Sequence, residues 1–275
     1  MRTIVTPTDF SAISMNAVNY AADLACVIGT SVSMLHVCAI PIPINEVPVP
    51  AYSTEALVNS AKEKLQLLKE KIIDRTGGRI KITVEVKQGD VVSELVAYCS
   101  SMNTYAVIMG TESAGAFERF FLGGTTISAL RKLLLPLIVV PPNVKFASLQ
   151  KIGLACDLKK VPETIPFTEI KSLVKDFHAE LHILHVSTKS GNSSCAETFQ
   201  ESGLLQDILG EFNPVYHFVN DTDIEKGINE FVERNKLDLL IIIPKRNNLI
   251  HNIFHHSHSK RLVLHTHVPV MAIHE

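Results

Sequence analysis

The sequence predicts an α/β protein made of two tandem doubly wound units, each with a five-stranded, mostly parallel sheet. Three observations point there. Short β-like runs alternate with helical stretches along the whole chain, which calls for parallel strands with helices on both faces. The order of elements repeats from Lys151 onward. And 275 residues with a 46% hydrophobic share are enough for two packed cores.

The first run, "TIVTP" at 3–7, precedes a helix whose Ala17, Ala21, Leu24, Ala25 and Ile28 share one face, with Ser11 placed to cap it. "SVSMLHV" at 31–37 leads into a connection bearing Pro41, Pro43, Pro48 and Pro50, residues that bar a helix and favour an extended path. That stretch reads as a stiff surface connection, with partner docking as the alternative. A helix from about Ser53 places Leu57, Ala61, Leu65, Leu68 and Ile72 inward and stops at Gly77–Gly78. "IKITVEV" at 80–86, a helix opened by Asp90, "YAVIMG" at 105–110, a helix from about Thr125 and "PLIVVP" at 136–141 complete the first unit.

In the repeat, "KIGLACD" answers "TIVTPTD" at an offset of 148 and pairs Asp157 with Asp9, and "LHV" returns at 184–186, an offset of 149. Later elements agree at 133: Asp90 with Asp223, Leu95 with Ile228, "AVIM" at 106–109 with "LLII" at 239–242, Pro136 with Pro269. A constant offset at four places marks two copies of one unit. The shorter connection between the second and third strands of the second copy absorbs the lost residues. The expected domains are 1–144 and 150–275, joined near "PNVKFASLQ".

Composition excludes several classes. With 26 basic and 28 acidic residues and a net charge of -2, no overall field recruits nucleic acid or anionic lipid. No apolar run reaches the roughly 20 residues of a membrane span, and the start has no apolar leader, so a cytoplasmic protein is expected. Five scattered cysteines without a C-x-x-C read as reduced thiols. Seven of the twelve histidines (His251, His255, His256, His258, His265, His267, His274) lie at or beyond 251; without nearby cysteines they read as a polar surface, and no metal site is assigned. There is no G-x-S-x-G elbow, and Asp9, Asp157, Asp90 and Asp223 read as strand-end or helix-cap carboxylates.

The stretch "GTESAGAFERFFLGGTTISAL", 110–130, holds Gly110, Gly115, Gly123 and Gly124 between a strand and a helix. Beyond the carboxyl end of a parallel strand, a helix N-terminus offers free amides to an anion, and Gly123–Gly124 with the hydroxyls of Thr125 and Thr126 would suit a phosphate. Neither a Walker loop nor a G-x-G-x-x-G after the first strand is present, which excludes P-loop hydrolysis and dinucleotide redox chemistry.

"TPTDFS" at the first strand's end, "LHV" closing the second, and "MG" followed by the glycine loop, "GG-T-T" and "LPLIVVP" together resemble the universal stress protein family in its tandem two-domain form. The resemblance is strong in the first half and weak in the second. It implies Rossmann-like domains joined through their fifth strands as an internal pseudo-dimer, so that "PLIVVP" lies beside "VPVMAI"; a further homodimer and protein partners are left open. Nucleotide-binding members of the family carry G-x2-G-x9-G-[ST] for ATP phosphates, with an Asp after the first strand and a Val after the second meeting adenosine. The resemblance therefore implies that Thr8, Asp9, Val37 and Met109 hold the nucleoside, and that Gly110, Ser113, Gly123, Gly124, Thr125 and Thr126 hold phosphates, with Mg as the accompanying ion.

This chain departs from the motif at two positions: Ser113 stands at the second glycine, and Gly124 stands where Ser or Thr is expected, with Thr125 one place late. A strained serine and a lost hydroxyl contact would each cost about 1 kcal/mol, roughly a ten- to hundredfold loss of affinity together. In the second half the matching positions are Ile243, Arg246 and His256, which leave no close-approach loop although Asp157 and Val186 persist.

The first function expected is thus a stress-response regulator that binds ATP or a related adenine nucleotide in its first domain. The alternative is a nucleotide-free protein-interaction scaffold, and slow ATP hydrolysis is a third reading without a positioned base or Walker lysine. Small-angle scattering tests the internal pairing: one compact particle is expected, and two separated beads would refute it.

Overall fold

The structure, a computed structural model, describes residues 2–39, 51–111, 124–187, 195–244, 262 and 266–275. The chain divides into two compact units, the first reaching Phe146 and the second continuing from Ala147. In the first, the chain order is β1 (Thr3–Pro7), α1 (Ala12–Ile28), β2 (Ser31–Cys38), α2 (Ala51–Thr76), β3 (Ile82–Gln88), α3 (Val91–Ser100), β4 (Thr104–Gly110), α4 (Gly124–Lys132) and β5 (Leu137–Val140). The strands are all parallel and lie in the order β3-β2-β1-β4-β5. Right-handed crossovers then put α1 and α2 on one face and α3 and α4 on the other, and each of these pairs is in contact. With both faces covered, Ile4, Val5, Val32, Met34, Leu35, Val107, Ile108 and Ile138 are buried, the physical reason the strands read as continuous apolar runs.

Ser11 caps α1, accepting from Ser14 N at 3.2 Å, and Gly29 closes the helix with φ +66°. Between them Ala17, Ala21, Leu24 and Ala25 are buried, small residues that let the helix lie close to the sheet. In α2, Ala61, Leu65, Leu68 and Ile72 are buried, but Leu57, expected inward, is 49% exposed. The correction follows from length. The 26 residues of α2 span about 39 Å at 1.5 Å each, whereas the 7 residues of β3 span roughly 23 Å. The helix therefore outruns the sheet.

The second unit runs β6 (Lys151–Ala155), α5 (Val161–Thr164), α6 (Phe167–Phe177), β7 (Glu180–Ser187), α7 (Cys195–Leu209), a 3₁₀ turn at Gly210–Phe212, β8 (Val215–Asn220), α8 (Ile224–Asn235), β9 (Leu239–Ile242) and β10 (Val270–Ala272). Its parallel order, β8-β7-β6-β9-β10, is the same topology. The helix that corresponds to α1 is broken in two, α5 ending just before Pro166, since the residue preceding a proline is driven out of the helical region. The counterpart of α2 is shorter, 15 residues against 26. Asp90 and Asp223 each cap a helix: the first accepts from Ser93 N, the second from Glu225 N and Lys226 N. One carboxylate oxygen of Asp238 takes the amides of Gln150 and Lys151 at 2.7 and 2.8 Å, which fixes where β6 begins.

Gly153, inside β6, has no room for a side chain: an added Cβ would land on Leu237 Cδ1, and Leu237 is itself buried. Gly153→Ala is expected to destabilise the protein by about 1–3 kcal/mol through overpacking, measured as a lower urea midpoint at unchanged slope.

Candidate functional site

Strand order reverses between β1 and β4, and in open parallel sheets the crevice outside the carboxyl ends of such a strand pair is where ligands bind. The residues that follow β1 are held there by a compact set of bonds. Thr8 N donates to Leu35 O at 2.8 Å, and Thr8 Oγ1 accepts from Phe10 N at 3.0 Å and lies 3.0 Å from Ser14 Oγ. His36 Nδ1 is 2.7 Å from Thr8 O. A carbonyl only accepts, so Nδ1 carries the proton, and the ring ties the tips of β1 and β2 together. Phe10 adopts φ +66°, a left-handed conformation that costs a non-glycine residue about 1–2 kcal/mol. The bond to Thr8 and a ring contact with His36, centroids 4.7 Å apart, hold it there. Lys64 of α2 places its ammonium 5.6 Å from the same ring.

The consequence is that Asp9 is turned outward and exposed, its Oδ1 accepting from Ser11 N at 3.0 Å. Partial burial pushes its carboxyl up, but hydrogen bonds from Ser11, Ser14 and the backbone outweigh this and hold it below the usual carboxylate value. Any stability Asp9 contributes is therefore present above about pH 4 and lost as the pH falls through its lower folded value. Val37 stands half-buried near the end of β2 and Met109, 6% exposed, near the end of β4, with β1 between the two strands.

Gly110 closes β4, and its lack of a side chain has a packing cause. An added Cβ would meet Ile13 Cγ2 at 2.6 Å and Ile13 O at 2.7 Å, so the first turn of α1 rests directly on the strand. Thr126, buried, donates its hydroxyl proton to Gly110 O at 3.1 Å and joins α4 to the same point. Gly124 and Thr125 open α4; both are exposed, and an added Cβ on Gly124 would meet nothing within 4 Å. The amides of a first helical turn have no intrahelical partner. Of the ten candidate residues, Thr8, Asp9, Val37, Met109, Gly110, Gly124, Thr125 and Thr126 thus gather around the ends of β1, β2 and β4; Ser113 and Gly123 lie outside the described residues.

The second unit repeats three of these strand-tip bonds. Cys156 N donates to Leu184 O at 3.0 Å, Leu158 N donates to Cys156 Sγ at 3.2 Å, His185 Nδ1 lies 3.1 Å from Cys156 O, and Leu158 has φ +49°. Asp157 is exposed and Val186 half-buried. Where Gly110 closes β4, however, Ile243 follows β9, half-buried. Arg246 and His256 lie outside the described residues, as do the proline-rich stretch 41–50 and His251, His255, His258 and His265. Among the described residues no cluster of three or more metal-ligating side chains occurs, and no helix is long and apolar enough to cross a membrane. Among the described residues Cys26, Cys38 and Cys99 are free thiols, and burial pushes that of Cys99 up to about 11.

Two features were missed in the sequence: the histidine that grips the strand-end carbonyl, and Ile13 as the reason for Gly110. The first left a signal, because "LHV" recurs one strand after each aspartate; the second left none.

Residues 1–141 match the family model of the Universal stress protein family. The chain belongs to the universal stress protein family. A curated relative, a universal stress protein of Methanocaldococcus jannaschii, is 26% identical over 140 residues, covering 50% of this chain and 80% of that protein. Along nearly the full length, the fold resembles a universal stress protein of Archaeoglobus fulgidus: TM-score 0.78 at 21% identity, covering 99% of this chain and 98% of that one. It also resembles a functionally unknown protein of Pseudomonas aeruginosa, with TM-score 0.59 at 10% identity and coverage of 100% and 92%.

The glycines separate by substitution. Gly110→Ala must move α1 off β4 and is expected to cost about 2–3 kcal/mol in urea denaturation. Gly124→Ala, facing open space, is expected to change stability by less than about 1 kcal/mol, with a gain favoured by helix propensity.

Proposed function

We propose that the first unit binds ATP or a related adenine nucleotide at the β1/β4 reversal, as a regulatory signal rather than as a substrate to be consumed. The observation that carries this reading is the convergence there of an outward carboxylate, Asp9, and the exposed N-terminus of α4 at the ends of two adjacent parallel strands. These groups suit the two ends of the ligand. Asp9 can accept from a ribose hydroxyl, Val37 and Met109 offer apolar surface to a base, and the amides of Gly124 and Thr125 with the Thr125 hydroxyl can donate to phosphate oxygens. Family membership supports the reading, since the motif resemblance implies nucleoside and phosphate contacts at these positions. In this reading ligand occupancy rather than turnover carries the signal, stabilising the folded state by mass action and biasing the surface offered to protein partners. Mg would accompany a bound triphosphate.

A second reading is a nucleotide-free interaction scaffold. It is favoured by the packing role of Gly110 and by the commitment of the Thr126 proton to Gly110 O, which keep two candidate residues in place without any ligand.

Calorimetric titration with ATP and AMP, with and without Mg, decides between them. Binding with a raised melting temperature, abolished by Gly123→Val and weakened tenfold or more by Asp9→Ala, is the expected result. A flat response at millimolar nucleotide would leave the scaffold reading. Phosphate release that Gly123→Val abolishes would establish slow hydrolysis instead.

A further inference from the structure

The second unit carries a histidine pair that the nucleotide reading does not use. His182 on β7 and His217 on β8 sit diagonally on one face of the sheet, His217 lying opposite Leu184 in the register. His182 Nδ1 is 3.0 Å from His217 Nε2, and the rings stack with centroids 5.3 Å apart at 18°. Phe231 of α8 covers both rings, its centroid 4.6 Å from that of His217 and 6.4 Å from that of His182. His182 is 4% exposed. Its other nitrogen, Nε2, lies 3.2 Å from Glu180 Oε1, close enough to attract but not aligned as a hydrogen bond. Lys151 of β6, opposite Glu180 in the register, is the cation that acts on His182.

A nitrogen-to-nitrogen hydrogen bond needs one proton and one lone pair. In the neutral pair that rule is met with His217 Nε2 donating to His182 Nδ1, while His182 Nε2–H faces Glu180. One added proton can be held beside Glu180 if His182 becomes the donor and His217 turns to its other tautomer. A second cannot: two N–H groups would then oppose each other at 3.0 Å beneath an aromatic ring. We propose that this pair is a proton-operated clasp on β8, closed at neutral pH and opened by acid, which frees the edge strand of the second unit from β7 and α8. The location makes local opening effective, because β8 ends the strand order and pairs only with β7 among the described residues. It also bears the exposed apolar side chains Val215 and Phe218.

Burial holds both rings below the ordinary imidazole value; Glu180 acts the other way on each, Lys151 adds to the lowering at His182, and His182 adds to it at His217. With folded values below the unfolded value of roughly 6.5, the stability carried by the pair is complete above that pH and is lost as the pH falls toward the folded values.

The test is amide hydrogen exchange of the full chain between pH 7.5 and 5.5, corrected for intrinsic chemistry, with β3, the edge of the first unit, as reference. Protection of β8 is expected to fall about tenfold relative to β3, and His217→Gln, which keeps a donor for His182 Nδ1 but does not titrate, is expected to abolish the fall. Equal pH profiles for wild type and variant, or equal losses in β3 and β8, would overturn the proposal. Should His217→Gln fail to fold, ring ¹⁵N shifts of the wild type decide. Coupled titration below the free imidazole value supports the clasp; two independent titrations near that value refute it.

Discussion

The first unit is organised around one close approach: Ile13, in the opening turn of α1, occupies the space a side chain on Gly110 would need. That contact sets the depth at which α1 lies across β1 and β4, the two strands between which the strand order reverses. From it follow the positions of Ser11 and Ser14, which begin the helix and engage Asp9 and Thr8. Thr126 adds a bond from the other side of the strand end to the Gly110 carbonyl, so α1 and α4 converge on one residue. The exposed groups at this corner, Asp9 and Thr125, owe their placement to buried ones.

The two units show which parts of such a corner are separable. The strand-tip arrangement needs a donor from the histidine near the end of the second strand, an acceptor two residues ahead of a left-handed residue, and little else. Threonine supplies the acceptor in the first unit and cysteine in the second, and Phe10 and Leu158 both tolerate the left-handed conformation. The glycine that ends β4 has no such freedom where a helix backbone presses on it. In the second unit the corresponding helix is broken into α5 and α6, and Ile243 follows β9. Loss of the close approach and loss of the glycine are consistent with one another.

Strand positions, strand direction and the duplication were legible in the sequence because a doubly covered parallel sheet writes itself as apolar runs, and a duplicated unit writes itself twice. Helix caps were legible at Ser11 and Asp90 because a side-chain oxygen at the right spacing is a local signal. Leu57 was misplaced because periodicity says which residues share a face and nothing about how far that face extends over a partner. At the site, Gly110 stood out as a glycine at a strand's end, whereas Asp9 drew a ligand role only from the family resemblance and otherwise read as a strand-end carboxylate. That Ile13 accounts for Gly110, or that Thr126 turns its hydroxyl inward, depends on contacts between elements distant in the chain, which no local pattern records. The His182–His217 pair was hidden for the same reason: its members are 35 residues apart and meet only through strand register.

The central place of β1, between β2 and β4, has a consequence for synthesis on the ribosome. The strand made first can be paired on one side as soon as β2 emerges, but its other edge has no partner until the chain has been extended past Val107. The second unit meets the same delay: β6 waits for β9, and the amides that start it wait for Asp238. Each unit thus leaves the exit tunnel with its innermost backbone half-paired, a nascent-chain interval in which chaperone binding has most to protect.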